Sequence, residues 1–470
     1  MIDVIDGIVN AISGKLYTPW VPLFLVVAGF FFTFRTKFMQ FRLFKEMFKV
    51  VGEKPKEKNG ISSFGALMVS TASRVGTGNI VGVSTAICLG GVGAVFWMWL
   101  IAIIGGASAF IESTLAQIYK KRNESGSSYG GPSYYMEQGL GQRWLGVIFA
   151  VIIILTYAVG YNMLASYNLQ SSFAAFDFYD AKVTPIIIGV ILAVLFAIIV
   201  LGGAKRLTKV TGVLVPVMGV IYIAVSLVII LMHIGQVPAM IAAIFKSAFD
   251  FQSAFAGFSG SCIMYGIKRG LYSNEAGMGS APNAAATADV SHPVKQGLVQ
   301  TLSVFIDTLL ICSATAFMCL LSGVTPTEDL AGAPFVQESL RSLLGGIGPV
   351  FIAVSMALFA FTTLIGNYYY CEGCLRFILK KKPSLTFLVI FRIIAAILVL
   401  LGATISMGLA WDTADLLQGL MVIINIPVII ILSKPAIKAL DDYCKQKKEG
   451  KDPVFLASSI GLKQDTDFWK

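Results

Sequence analysis

Apolar runs of about 20 residues or more recur along nearly the whole chain, at 17–34, 61–89, 93–119, 144–175, 183–202, 208–233, 251–268, 294–322, 346–379, 384–403 and 409–433. Runs of that length match the roughly 30 Å of bilayer hydrocarbon. Backbone N–H and C=O groups find no water there and must be satisfied within the chain, which predicts an all-α integral membrane protein with eleven transmembrane helices. The 470 residues are 56% hydrophobic and only 13% charged, outside the range of an ordinary soluble domain. A net charge of +10 does not point to nucleic acid, because the basic residues flank apolar runs and form no patch interleaved with aromatics.

Residues 1–16 precede the first run, and Ile2, Ile5, Ile8, Val9 and Ile12 share one helical face. This predicts a short helix on the membrane surface. Asp3 and Asp6 stand where a cleavable signal peptide carries positive charge. Lys and Arg at the run ends set the orientation, since positive segments are retained in the cytoplasm. With 35–60 inside, that side holds 30 of the 36, in 35–60, 120–143, 205–209, 268–295, 376–382 and after 433. The expectation is a multi-pass cell-membrane protein with its N-terminus outside and its C-terminus cytoplasmic.

With the first run set aside, ten remain, and they divide into two sets of five with opposite topology. The predicted organisation is a surface helix, first transmembrane helix and basic linker at 1–60, a first repeat at 61–233 and an outer connection at 234–250. A second, inverted repeat follows at 251–433, then a cytoplasmic tail at 434–470. Inverted repeats of this kind break the first helix of each set, around a site at mid-membrane.

Run 61–89 is interrupted by Arg74-Val75-Gly76-Thr77-Gly78-Asn79. Unpaired backbone at that depth costs several kcal/mol per group unless it lines a cavity or meets a ligand, so the interruption predicts a small-solute binding site. A glycine stripe for close helix packing is the ordinary alternative. The first helix of the second set carries Ala256-Gly257-Phe258-Ser259-Gly260-Ser261 at the corresponding place. The first and sixth core helices are therefore both expected to be broken.

Gly90-Gly91-Val92-Gly93-Ala94-Val95-Phe96-Trp97-Met98-Trp99-Leu100, continuing through Ala102 to Gly105, resembles the signature of the sodium:alanine (alanine or glycine:cation) symporter family. Residues 130–135, Gly-Gly-Pro-Ser-Tyr-Tyr, and the stretch from Arg269 to Pro282 are similar to other segments of that family, so the likeness covers most of the chain. The resemblance implies sodium-driven import of alanine, glycine or a similarly small neutral amino acid, on the inverted-repeat fold of the bacterial leucine transporter. It implies no cofactor; sodium is the coupling ion. No obligate protein partner is evident.

A substrate carboxylate suits the free N–H groups and positive dipole end of a half-helix starting near Gly78. Gly76-Thr77-Gly78-Asn79 resembles the Gly-x-Gly-Asn of the leucine transporter fold, which implies that the Thr77 and Gly78 amides hold the carboxylate and that the Asn79 side-chain oxygen meets a sodium ion. Arg74 departs from the small residue usual there. For a second sodium ion, hydroxyls and carbonyls suit a monovalent cation. Adjacent Thr362 and Thr363 resemble the sodium-binding pair of that fold, completed by the carbonyls of Ala72 and Val75. Threonines that bond the preceding helical turn are the plain alternative. Asn367, one turn beyond Thr363, is a candidate for the substrate amine. Phe258, Ser259, Gly260 and Ser261 resemble the run that closes over substrate, with Phe258 and Met264 as candidate pocket walls. Gln170 is either a ligand or a helix-packing hydrogen bond, with Tyr161 and Asn162 deeper on its helix. Glu112, Asp307, Glu372 and Arg392 are intramembrane charges of functional or pairing roles.

Other classes fare worse. No phosphate-loop run is present, and neither the two histidines nor the seven cysteines have metal-site spacing, which argues against an enzyme. The nearest lysine on run 208–233 is Lys209 at its end, so sodium is preferred over a proton-coupled amino-acid transporter. A channel would show no saturable, coupled uptake, and an amino-acid-sensing receptor would normally carry a signalling domain.

Overall fold

A computed structural model describes residues 2–55, 57, 60–122, 126–250, 262–462 and 466–469. Its longer helices are α1 (Ile2–Lys15), α2 (Val21–Arg35), α3 (Ser63–Arg74), α4 (Val81–Gly90), α5 (Ala94–Ile118), α6 (Pro132–Leu140), α7 (Arg143–Ala175), α8 (Thr184–Val200) and α9 (Gly203–Met232). The second half contains α10 (Val237–Ala248), α11 (Cys262–Asn274), α12 (Pro293–Leu321), α13 (Ala333–Leu344), α14 (Ile347–Leu379), α15 (Leu385–Gly402), α16 (Met407–Ile431) and α17 (Ser433–Lys448). One small hairpin, β1 (Lys121–Arg122) with β2 (Ser128–Tyr129), pairs antiparallel in the α5–α6 connection.

The burial pattern is that of a protein solvated by lipid. Ile186, Ile187, Val190, Ile191 and Val194 on α8 are exposed, as are Ile390, Ile393, Ile394 and Ile397 on α15, while Arg74, Glu112, Glu275, Asp307 and Asp415 are buried. Apolar side chains outside and charges held by buried hydrogen bonds inside are what a hydrocarbon solvent selects. Hydroxyls cap the membrane-entering ends: Ser62 Oγ accepts from the Gly65 amide at 3.0 Å, and Ser384 and Ser406 serve α15 and α16 in the same way.

Eight helices among the described residues are long and apolar enough to cross a membrane, and they correspond to the expected spans at 17–34, 93–119, 144–175, 208–233, 294–322, 346–379, 384–403 and 409–433. The span expected at 183–202 is the 17-residue α8. The expected 61–89 span is two shorter helices, α3 and α4, on either side of an interruption. The surface helix does not end at Leu16: α1 runs through a kink at Thr18 into α2, and it docks on α16, where Asn10 donates to Asp412 at 2.9 Å.

The largest correction lies in the second half. Residues 251–261, with the expected second break, are outside the described residues, but the span expected to end at 268 continues as α11 to Asn274. The stretch 268–295, read from sequence as an aqueous connection, is almost wholly buried. After α11 the backbone turns irregular at 275–281, with Glu275, Gly277 and Gly279 all at positive φ (55°, 84° and 82°). A short helix, Pro282–Ala285, follows, and Ala288 then bridges to Ile61 at the start of α3. Lys268 and Arg269 therefore belong to no connection; both pair with Asp415 of α16.

Candidate functional site

The first interruption satisfies itself in part. Val75 is extended, Gly76 likewise, and Thr77–Asn79 form one tight turn before α4 begins. The Gly76 amide, which would have bonded Ala72 in a continuous helix, donates instead to Asn79 Oδ1 at 2.8 Å. That exchange releases the Ala72 carbonyl. The Thr77 and Gly78 amides open the turn, the position whose N–H groups have no acceptor within a helix. A side chain on Gly78 would overlap the ring of Tyr272, so glycine here admits an aromatic face against the backbone. Tyr272 is also within hydrogen-bonding reach of Thr77, whose hydroxyl oxygen accepts from Asn168 of α7 at 3.0 Å.

The second interruption, 275–281, lies against the first. Ser73 donates to Glu275 Oε1 at 3.2 Å and to Asn367 Oδ1 of α14 at 2.7 Å, alternatives for one hydroxyl proton, and Ser280 holds Glu275 Oε2 at 2.7 Å. Its own amides are capped from α5: Gly277 and Gly279 donate to the two oxygens of Glu112 at 3.4 and 3.0 Å, and Asn425 of α16 adds a third donor at 2.9 Å. The positive φ at Gly277 and Gly279 is a backbone shape that costs other residues energy, and it turns both N–H groups toward one carboxylate.

Between the breaks stands an oxygen cluster. Asp307, in a wide turn of α12 at Ile306–Cys312, accepts from Asn79 Nδ2 at 2.7 Å, Ser273 Oγ at 2.6 Å and Thr308 Oγ1 at 2.9 Å. All are buried. Such wide turns inside helices are frequent at functional sites. One carboxylate with the neutral hydroxyl oxygens of Ser273 and Thr308 is a donor set suited to a monovalent cation.

Thr362 and Thr363 separate in role. Thr362 Oγ1 bonds back to Leu358 and Phe359 of its own helix at 2.9 and 3.1 Å. Thr363 Oγ1 is buried, has no hydrogen-bond partner among the described residues, and points at the Gly76 Cα, where an added Cβ would strike it. Gly366, one turn on, packs against the Ala72–Ser73 backbone. A desolvated hydroxyl without a partner costs about 1–3 kcal/mol, a cost that an ion bound to this oxygen would offset.

Arg74 is buried at the C-terminal end of α3, the favourable end for a cation. Its side chain turns toward the N-terminal half of α12, donating to Gln300 O and Oε1 at 3.3 and 3.2 Å. Its Nε and second terminal nitrogen have no hydrogen-bond partner among the described residues.

On the α4 side of Tyr272 the space is filled by paired and stacked side chains. Arg269 forms two bonds to Asp415 at 3.2 and 3.1 Å, Lys268 adds 2.8 Å, and the Arg269 guanidinium lies 3.9 Å from the Trp411 ring centre. Tyr272 meets Trp411 and Tyr161 edge-on, and Gln418 ties Tyr161 to Tyr17. On the opposite side a cavity of about 570 Å³ reaches inward between α3 and α14, past Ser62, Gly65, Asn283, Thr287, Tyr369 and Gly373.

Of the residues picked out by sequence, Ala72, Val75, Thr77, Gly78, Asn79, Thr363 and Asn367 come together at the first break. Thr362 faces Met218 of α9 instead. The Asn79 oxygen is taken by Gly76 N, so Asp307 is the charged oxygen at that point. Asn367 is bonded at both ends, to Ser73 and to Asn162. Gln170 accepts from Tyr179 at 2.9 Å near the end of α7. Met264 is buried on α11, eight residues and about 12 Å of helix from Tyr272. Phe258, Ser259, Gly260 and Ser261 lie outside the described residues. Sequence reasoning passed over Ser73, Asn168, Tyr272, Ser273, Glu275 and Asp415; the signal that marked Tyr272, Ser273 and Glu275 was the density of polar and charged residues from Lys268 to Ser280.

A model of the sodium:alanine symporter family matches residues 2–457. The chain is 48% identical to the amino-acid carrier protein AlsT of Bacillus subtilis, over 96% of this chain and 95% of the relative. It is 46% identical to a probable sodium/glutamine symporter, GlnT, of the same organism, over 100% and 97%. With the sodium/alanine symporter AgcS of Methanococcus maripaludis the identity is 37%, over 91% and 94%.

Proposed function

The chain belongs to the sodium:alanine symporter family, and from that premise we propose that it imports alanine, glycine or a similarly small neutral amino acid together with sodium, by alternating access. A sodium-coupled amino-acid symporter, a transporter and not an enzyme, is the activity the family and its named members support. The finer reading rests on one observation above others, the buried Thr363 hydroxyl that faces the Gly76 break without a partner.

In this reading sodium sits between Thr363 Oγ1 and the carbonyls of Ala72 and Val75. The substrate carboxylate takes the Thr77 and Gly78 amides, which requires the Tyr272 ring to swing aside. The oxygens of Asp307, Ser273 and Thr308 are the second cation position. Tyr272, Trp411 and the Arg269–Asp415 pair close the outer route, and the 570 Å³ cavity is the inner one. Sodium draws α14 onto α3 and so favours the state in which the amides are ordered for substrate. Labelled alanine, glycine and glutamine presented to proteoliposomes under a sodium or a proton gradient test this. The expected result is alanine and glycine accumulation with sodium alone; uptake driven by outside acid in sodium-free buffer contradicts it.

A further inference from the structure

The side of the molecule that carries the inner cavity has a second cavity, of about 540 Å³, at the ends of α6, α7 and α14. Its walls hold seven cationic side chains and one carboxylate, Glu137. The hairpin's cations are matched elsewhere, Lys121 by Asp467 at 3.1 Å and Arg122 by Glu57 at 3.6 Å, and Arg143 takes Glu137 at 3.0 Å. Arg376 and the run Lys380–Lys382 have no carboxylate within 4.0 Å among the described residues. The nearby cavity beside Lys49 and Lys295 is different: Lys295 there is bridged by both Glu53 and Asp452.

Four unmatched cations in one recess form an anion site by charge alone, and the surroundings say which anion. Trp144, Leu379 and Leu385, close in sequence to the lining residues Arg143 and Lys380–Lys382, are exposed apolar side chains at the ends of α7, α14 and α15. A ligand with a phosphate head and acyl chains fits both halves; free phosphate fits one. Basic pockets between helices on the cytoplasmic side have this chemistry. The recess shares Tyr129 and Arg376, stacked at 4.9 Å, with the inner cavity. We propose that this recess binds the headgroup of an anionic phospholipid, and that its occupancy is felt by the inner cavity through Arg376 and Tyr129.

The test is native mass spectrometry of the full chain with added phosphatidylglycerol or phosphatidylcholine, paired with uptake in vesicles of the same compositions. The expected result is a retained phosphatidylglycerol adduct, weakened roughly tenfold or more in Lys380→Gln/Lys381→Gln/Lys382→Gln, which removes three cations near the surface. The matching arginine triple variant should keep the adduct and serve as the folding control. Millimolar inorganic phosphate should leave it in place. Neutralising Lys49, Lys54 and Lys451 in the other cavity should change little, and sodium-driven uptake should fall in vesicles of phosphatidylcholine alone. Equal retention of the two lipids, displacement by phosphate, or equal loss in both lysine triples overturns the site. Retention without any change in uptake overturns the link to the inner cavity.

Discussion

At 75–79 the broken backbone is capped from within: Asn79 turns back on the Gly76 amide, three residues away. At 275–281 the caps come from other helices, with Glu112 of α5 and Asn425 of α16 meeting amides and carbonyl of the Gly277–Gly279 turn. Side chains of other helices also reach the first break, Thr315 donating to the Asn79 carbonyl at 2.7 Å and Asn168 to Thr77 at 3.0 Å. Its amide cap is nevertheless its own, and what it leaves unmet is a hydroxyl on the facing helix, Thr363. A break capped from outside is tied to its neighbours. On the function proposed above, ligand binding belongs to the first interruption and structural anchoring to the second, with Asp307 and Ser73 as the contacts between them.

The contrast can be broken by experiment. The largest effect is expected at Gly78, where valine overlaps Tyr272 and fills the space a substrate carboxylate needs. Gly78→Val should abolish alanine and glycine binding in isothermal titration. Adding Tyr272→Ala removes the ring but not the loss of carboxylate space, so the double variant should remain inactive; recovered binding would make Gly78 a packing residue only. Next comes Glu112→Ala, which leaves three buried donors without an acceptor and should cost about 3 kcal/mol of stability. Glu112→Gln should recover much of it, and Asn79→Ala should destabilise less. Equal losses of thermal stability in Glu112→Ala and Asn79→Ala would erase the distinction between the breaks.

Thr363→Ala should raise the sodium concentration for half-maximal uptake about tenfold, or about 1.4 kcal/mol, while Thr362→Ala, whose hydroxyl serves its own helix, should leave it nearly unchanged. Reversed outcomes would exchange the two residues' roles. The smallest effect concerns the helix that follows the second break. His292 caps α12 with Nδ1, accepting from Val294, and Nε2–H donates to Asp442 at 3.3 Å. Burial pushes its pKa down to about 4. The unfolded chain therefore takes up a proton near pH 6.5 and the folded one only near 4, so this contribution to stability is full above 6.5 and is lost as pH falls toward 4. Between pH 7 and 6 the loss is about 0.7 kcal/mol. His292→Asn keeps a capping oxygen and should flatten that part of the pH profile of thermal unfolding.

The first break was legible because Gly76 and Gly78 interrupt an apolar run, a signal contained in six consecutive residues. The stretch from Lys268 to Ser280 was read as an aqueous connection for an equally physical reason. Lys268, Arg269 and Glu275 read as groups that face water, and what allows them to be buried is far away in sequence: Asp415 for the two cations, Ser73 for the carboxylate. Pattern locates a helix by its apolar neighbours, so a helix whose burial rests on distant partners is read as a loop. Asp307 was visible as an intramembrane charge, but its depth depends on α12 packing against both breaks. The split between Thr362 and Thr363 needed the rotation of α14, which two adjacent hydroxyls do not determine.

The claim that Thr363 and the Gly76 break join ion to substrate is tested most directly by titrating purified protein with alanine in sodium and in an equimolar organic cation. Coupling through one site requires that each ligand strengthen the other. The expected result is alanine affinity at least tenfold higher in sodium, with most of that gain lost in Thr363→Ala. Equal alanine affinity in the two media, with wild-type protein that transports, would contradict it.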